Sequence, residues 1–280
     1  MNLILQAARQ RAPLLLLATA VMLLVLGVSL SGIALDTRVI TGAPAWLKPA
    51  KFSASVAIYC ATLAWILTLL PAERGLRRVG YLVGILLILE VALIVLQVVR
   101  GTSSHFNVAT PFDTSVFQVM GVMIATVMIA TMYVLWRAWR VPFTDPGLGA
   151  AIRAGLLITI VGGWLGAVMT VPNRAQREAM AAGERVPVQG GHAVGAPEDG
   201  PGVPLVRWSA TGGDLRVAHF FGLHGMQVMP LMLAAIRRRR GPAARDGRLI
   251  GLLGVAYLAL VVVAFLQALA GRPFLPLAGS

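Results

Sequence analysis

Long apolar segments separated by short polar stretches dominate the pattern of this sequence. Seven segments are apolar over enough residues to cross a hydrocarbon core, which takes roughly 20 helical residues. They contain Gly and Pro but no strict alternation of apolar and polar positions, so we predict helices and not barrel strands. The predicted spans cover residues 13–35, 52–70, 79–99, 115–136, 154–172, 217–236 and 249–269.

These spans predict an all-α fold, a polytopic membrane helical bundle in a single domain. The first apolar run is longer than the roughly 7–15 residues of a signal-peptide core, so we expect an uncleaved first span. Several glycines suit close helix packing. They are Gly162, Gly163 and Gly166 in the fifth span and Gly251 and Gly254 in the seventh.

Composition supports the membrane class. The chain is 58% hydrophobic and 12% charged, against about 25% charged residues in soluble domains, and its mean hydropathy is +0.79. The net charge of +13 is explained by basic cytoplasmic loops, so we expect a lipid bilayer and no nucleic acid as partner. Cys60 is the one cysteine of the sequence, which excludes an intramolecular disulfide and a CxxC redox pair.

The distribution of Lys and Arg predicts the orientation. With the N-terminus inside, short inner segments carry 14 of the 24 Lys and Arg residues, including the run Arg237–Arg240. This bias favours an N-in, C-out topology in a bacterial-type cytoplasmic (inner) membrane. The short basic inner loops are interpreted as a topological signal alone. The long outer loop, residues 173–216, is rich in Gly, and we interpret it as a lid over an outward-facing cavity. His192 in this loop is either an exposed histidine or a group that the lid brings to the cavity.

The sixth span combines several polar groups. Asp214 is placed to cap the helix N-terminus. His219 and His224 are five residues apart, which separates their imidazoles by about 140° around a regular helix. Gln227 shares the face of His224, and Pro230 predicts a kink just below this group.

A second polar cluster follows the third span. The stretch from Arg100 to Asp113 contains His105 and Asn107, and Asp113 or Thr114 is placed to cap the fourth helix. Within the third span, Glu90 lies near the bilayer midplane, where a carboxylate costs about 2.5–3.5 kcal/mol. Gln97 is seven residues further on the same face. The pair is interpreted either as a proton path or as a structural clasp.

The first functional hypothesis is a metal or haem site that faces outward, toward the periplasm. His105, His219 and His224 would be the ligands of a zinc ion, or His105 and His224 the axial ligands of a haem iron. Asp113 or Asp214 would orient a ligand or activate water. The protein would then be a membrane metalloenzyme acting on a lipid-phase ester or amide.

The second hypothesis is a permease or binding protein for a small anion or lipid. Arginine pairs bidentately with carboxylate and phosphate, and Glu90 and Gln97 would be the coupling path. The substrate-binding candidates of either hypothesis are Arg100, Asn107, Arg216 and Gln227. The third hypothesis is a non-catalytic membrane subunit whose polar groups satisfy one another. The sequence leaves the reaction, the substrate and the oligomeric state open.

Overall fold

The computed structural model describes residues 3–275 of the 280-residue chain. Among these residues, six helices are long and apolar enough to cross a membrane, or seven if a bent helix pair forms one span. The chain therefore has the helical, multi-pass character predicted for a membrane protein. The helices are α1 (Leu3–Arg11), α2 (Pro13–Leu35), α3 (Leu47–Leu69), α4 (Arg74–Val99), α5 (Pro111–Arg140), α6 (Pro146–Val168), α7 (Arg174–Ala181), α8 (Leu215–Leu223), α9 (Gly225–Arg240) and α10 (Asp246–Leu269).

Two short antiparallel strand pairs complete the described elements of residues 3–275. Strands β1 (Val39–Ile40) and β2 (Ala43–Pro44) form a hairpin between α2 and α3. Strands β3 (Ala193–Val194) and β4 (Gly213–Asp214) pair across the long loop. The chain divides into two compact units, Met1–Arg137 and Ala138–Ser280, and each unit is described by itself.

Most helices extend beyond the apolar segments from which they were predicted. Helix α3 begins at Leu47 and not at 52, with Pro49 in its first turn, where a missing amide hydrogen costs little. Helix α5 runs from Pro111 to Arg140 and exceeds the predicted 115–136 at both ends. Hydropathy marks only the part of a helix inside the hydrocarbon, whereas hydrogen bonding continues into the polar interface.

The sixth predicted span is wrong as a single helix kinked at Pro230. It consists of α8 and α9, which meet at His224 at an angle of 55°, and α9 continues through Pro230. The hydroxyl of Thr159 on α6 lies at the break. It accepts a hydrogen bond from the amide of Met226 at 2.9 Å and donates one to the carbonyl of Leu223 at 3.3 Å. A side chain that enters the hydrogen-bond ladder of a helix is a common cause of a bend.

The core of unit 1 joins α2, α3, α4 and α5. Fully buried side chains include Leu15, Leu63, Ile94 and Met120. The hydroxyl groups of Tyr59 and Thr131 form a buried hydrogen bond of 2.5 Å between α3 and α5. In a bilayer the hydrophobic effect does not drive helices together, so hydrogen bonds between apolar helices help to fix how they pack.

The core of unit 2 is built on α6, which packs against α8, α9 and α10. The close approach of α6 to α8 depends on Gly162 and Gly222, because a Cβ atom on either would lie within 2.4 Å of the other's Cα atom. The prediction of glycine packing is therefore confirmed for Gly162, and for Gly166, which packs against the ring of His219. On α10, a Cβ atom on Gly254 would contact Ala154, whereas Gly251 faces open space among the described atoms, and the packing role predicted for Gly251 is wrong.

The basic run at the end of α9 is more than a topological signal. Arg237 binds Asp145 with two hydrogen bonds of 2.6 and 2.8 Å and also donates to Asp246 at 2.7 Å. Arg240 donates to the other oxygen of Asp246 at 2.7 Å. These ion pairs link the start of α6, the end of α9 and the start of α10, so part of the run stabilises unit 2 directly.

The long loop between α6 and α8 has local structure of its own. Asn173 and Gln176 form a capping box at the start of α7. The side chain of Gln176 also donates to the carbonyl of Gly190 and accepts from its amide, both at 2.9 Å. The loop is thereby tied to α7 before it reaches β3.

Candidate functional site

Gln97, Arg100 and Asp113 form a polar cluster in unit 1, where α4 ends and α5 begins, with Gln97 and Asp113 buried and Arg100 partly exposed. Gln97 and Arg100 donate to the same oxygen of Asp113, at 2.9 and 2.5 Å, and Arg100 also donates to the side-chain oxygen of Gln97. The other oxygen of Asp113 accepts from the Thr110 hydroxyl at 2.6 Å. Asp113 is 4% exposed. The carboxylate is therefore fully engaged in joining α4 to α5.

The cap of α5 differs from the prediction. The Thr110 hydroxyl accepts from the amide of Asp113 at 3.1 Å, so Thr110 satisfies the free amide and Asp113 lies in the first turn. The sequence placed the cap at Asp113 or Thr114. Pro111 is the reason for the difference, because proline favours the first helical position and sets the preceding residue as the cap.

Asn107 and His105 lie in the loop between α4 and α5. The Asn107 amide donates to the Thr102 hydroxyl at 2.8 Å, and its oxygen accepts from the amide of Ala109 at 3.1 Å. Asn107 thus shapes the loop from a buried position. The ring of His105 lies 5.2 Å from that of Phe52, and its Nδ1 atom is 3.0 Å from the Ser104 hydroxyl.

Glu90 occupies a different environment from every other acid described above. It lies on the buried face of α4 together with Leu87, Ile94 and Gln97, and it is 1% exposed. Within residues 3–275, neither of its carboxyl oxygens makes a hydrogen bond. The charge of Lys48, at the start of α3, acts on this carboxyl, and the Lys48 ammonium group lies 6.0 Å from the Phe52 ring centre.

In unit 2, His219 lies within α8 and His224 directly follows the last residue of that helix. The Nδ1 atom of His219 lies 2.7 Å from the carbonyl of Gly162, and the ring fits only because Gly166 has no side chain. His224 is the residue at the break, with its ring 4.5 Å from that of Phe220 and with Gln227 beside it. Donation from Nδ1 leaves the Nε2 lone pair of His219 as its acceptor.

Asp214 and Arg216 order the start of α8. Asp214 accepts from the amides of Arg216 at 3.0 Å and Ser209 at 2.7 Å, which confirms its predicted role as helix cap. The guanidinium of Arg216 binds both oxygens of Asp214, and it also donates to the carbonyl of Arg207. Asp214 is 1% exposed, so these bonds satisfy a carboxylate that water does not reach.

His192 pairs with Glu198 inside the long loop. Its Nδ1 atom is 2.9 Å from Glu198 Oε2, and Glu198 Oε1 accepts from the amide of Ala193 at 2.9 Å. Burial on its own would raise the pKa of Glu198, but the hydrogen bonds and charge of His192 outweigh it and lower that pKa. His192 therefore stabilises the fold of the loop.

The predicted site residues fall into both units. Unit 1 contains Glu90, Arg100, His105, Asn107 and Asp113, and unit 2 contains Asp214, Arg216, His219, His224 and Gln227. Over the described range 3–275, no three His, Cys, Asp or Glu side chains are grouped so that they would hold a metal ion. The three-histidine zinc site stays a prediction.

Sequence reasoning missed Thr159 and the glycine slot for His219. A signal was present, because Gly155, Thr159, Gly162 and Gly166 follow one another at spacings of four, three and four residues and so share one face of α6.

Comparison with protein-family models, with curated proteins and with solved structures finds no match for this chain.

Proposed function

We propose that this chain is a proton-linked permease of a bacterial-type inner membrane, with Glu90 as the group that takes up and releases the proton. The observation that carries the proposal is the Glu90 carboxyl, which is buried within an apolar helix and makes no hydrogen bond among the described residues. An ionisable side chain is costly at this depth, and such groups are typical of proton and ion pathways.

The other buried acids support this interpretation by contrast. Asp113, Asp214 and Asp246 are as buried as Glu90, yet each is bound by an arginine. Their charges are neutralised in fixed pairs, which suits structural roles. Within the described part of the chain, Glu90 has no such ion pair, and the charge of Lys48 acts on it without a hydrogen bond. A carboxyl without fixed donors changes its protonation state without breaking a structural bond.

The substrate class that suits the proposal is a small anion or a lipid headgroup. Entry of an anion together with a proton moves no net charge, and a protonated Glu90 provides that proton within the membrane. Arg100 keeps a side chain that is 36% exposed and stacks on Phe112 at 4.4 Å, so its guanidinium retains donors beyond its pair with Asp113.

Proteoliposomes that contain a trapped pH-sensitive dye test the proposal. With inward gradients of protons and of either inorganic phosphate or pyruvate, wild-type protein is expected to acidify the lumen, and Glu90→Gln is expected to reduce the rate to that of empty vesicles. Glu178→Gln is the matched control, because Glu178 lies in the exposed part of α7. Acidification that persists in Glu90→Gln would contradict the assignment.

Infrared spectroscopy tests Glu90 without knowledge of the substrate. A carboxyl that exchanges protons with water gives a protonated C=O band that shifts on transfer to D2O and is missing from Glu90→Gln. A band that is unchanged in D2O would indicate a sealed group and therefore a structural one.

A metal or haem site on the histidines is the second candidate function. The contact of His219 Nδ1 with the Gly162 carbonyl favours it, because ligand histidines commonly donate their second ring nitrogen to a carbonyl. On His219 and His224 of unit 2 the metal would be zinc or iron, the iron alone or in a haem. Elemental analysis and the visible absorption spectrum of purified protein test this candidate. Metal content that is the same in His219→Ala and His224→Ala as in wild type would count against it.

A further inference from the structure

A basic cavity of about 730 Å³ lies at one end of unit 1, where α1, the end of α3 and the start of α4 come together. This end is opposite to the Gln97–Arg100–Asp113 cluster along α4, so the cavity is separate from the groups discussed above. Its polar lining consists of Gln10, Arg11, Glu73, Arg74, Arg77 and Arg78.

Two of the charged lining residues already have structural partners. Arg11 donates to the carbonyls of Thr68 and Leu70, at 3.0 and 2.5 Å, and so satisfies the end of α3. Glu73 accepts from Arg137. The single acid of the lining is therefore neutralised by a cation of its own.

The remaining cations have no such partners. Arg74, Arg77 and Arg78 are exposed, and within residues 3–275 their guanidinium groups make no hydrogen bond or ion pair. All three belong to the first turns of α4, where the helix dipole is positive and cations are unfavourable. Glu73 precedes the helix but its side chain does not cap it. The amides of the first turn and the three guanidinium groups are all donors that suit an anion as ligand.

The position of the cavity relative to the membrane suggests the chemistry of that anion. The apolar part of α4 follows directly after Arg78, so the cavity lies at the level where the hydrocarbon ends and headgroups begin. Basic pockets between helices at this level are suited to phosphate-containing headgroups. Helix α1, whose end lines the cavity, also has the exposed Leu3 and Leu5, and exposed apolar side chains suit the membrane interface.

We propose that the cavity binds a phosphate group, held by Arg74, Arg77 and Arg78 and the first turn of α4, and that an anionic phospholipid supplies it. Guanidinium groups bind phosphate oxygens bidentately, and a helix N-terminus adds amide donors. The site does not depend on the function proposed for Glu90.

Thermal unfolding of delipidated protein in detergent tests the proposal. Short-chain phosphatidylglycerol is expected to raise the Tm of wild-type protein by about 5 °C near saturation, and phosphatidylcholine to leave it unchanged. The variant Arg74→Gln/Arg77→Gln/Arg78→Gln is expected to lose the shift. The matched control is Arg238→Gln/Arg239→Gln/Arg248→Gln, which removes the same charge from exposed positions of unit 2 and is expected to keep it.

A second arm identifies the source of the phosphate. Inorganic phosphate, compared with chloride at equal ionic strength, is expected to give little shift if a lipid is the ligand, and a shift equal to that of phosphatidylglycerol would assign the site to a soluble phosphate. Equal phosphatidylglycerol shifts in wild type, the cavity variant and the control would overturn the proposal, and so would no shift with either probe. Arg77→Gln alone is the second variant, should the triple variant unfold.

Discussion

The hydroxyl of Thr159 on α6 accepts a hydrogen bond from the backbone amide of Met226, 67 residues further along the chain. The same hydroxyl donates to the carbonyl of Leu223. It therefore replaces, from a neighbouring helix, bonds that α8 and α9 lose where they meet at His224. A bend placed in this way has a fixed position, since the two helix ends are held by the same side chain.

Replacement of Thr159 by valine is expected to destabilise unit 2. The substitution keeps the shape of the side chain but leaves the amide of Met226 without its acceptor in a buried site, at a cost of about 1–2 kcal/mol. Unfolding in mixed detergent micelles measures the difference. Thr126→Val is the control, because the Thr126 hydroxyl bonds only within its own helix at an exposed position. Equal stability of Thr159→Val and wild type would mean that the break is held by other contacts.

The surroundings of Gly222 on α8 and Gly251 on α10 predict different effects for the same substitution by alanine. Gly222→Ala would place a Cβ atom 2.3 Å from the Cα atom of Gly162, so the helices must separate and the protein is expected to lose stability. Gly251→Ala meets no atom within 4 Å and is expected to be neutral or to stabilise by up to about 1 kcal/mol. The Tm values of the two variants test this. Similar values would show that α6 and α8 are further apart than described.

Features of the fold that depend on nearby residues could be predicted from the sequence, whereas those that depend on contacts between helices could not. The existence of the spans and the cap at Asp214 could be predicted, because hydropathy and cap chemistry depend on nearby residues. The break at His224 could not be predicted, because it depends on Thr159 of another helix. Pro230 is the stronger local signal for a kink, yet α9 continues through it, so tertiary contacts decided the position.

The sequence predicts which residues belong to the candidate site, but it does not predict which of them bind one another. The polar residues around Arg100 and Asp113 are evident from the sequence, but their mutual pairing is a property of how α4 meets α5. Arg237 is the same case, since the sequence shows a basic run and the structure shows that one member of the run binds Asp145. Which of several neighbouring arginines forms an ion pair depends on how the helices pack, and the spacing of residues along the sequence does not determine that.

Acid is expected to weaken unit 2 through Asp145. Hydrogen bonds from Arg237, helped by the amide of Leu148 and opposed by partial burial, hold the pKa of Asp145 at about 2, below its usual value of 3.8. Because the pKa is lower in the folded chain, the carboxylate contributes its full stabilisation above pH of about 4 and loses it as pH falls toward 2.

The variant Asp145→Asn tests this pH dependence. Its Tm is expected to lie below that of wild type at neutral pH and to approach it as the pH falls through this window. Asp199→Asn, in the exposed loop, serves as control and is expected to match wild type at neutral pH. A constant difference between Asp145→Asn and wild type from pH 7 to about 2 would contradict the role given to the carboxylate.

Glu90 and Gln97 share one face of α4, and their replacement by leucine is expected to have opposite consequences. Gln97→Leu removes a donor to Asp113 and an acceptor for Arg100, so stability falls by about 1–2 kcal/mol. Glu90→Leu removes a carboxyl without a hydrogen bond among the described residues and saves the cost of placing it in an apolar helix, so stability rises by about 1–3 kcal/mol. Functional residues commonly reduce the stability of the fold in this way, whereas a residue that holds two helices together increases it. A loss of stability in Glu90→Leu comparable to that in Gln97→Leu would therefore assign Glu90 a structural role and remove the basis for a proton-linked permease.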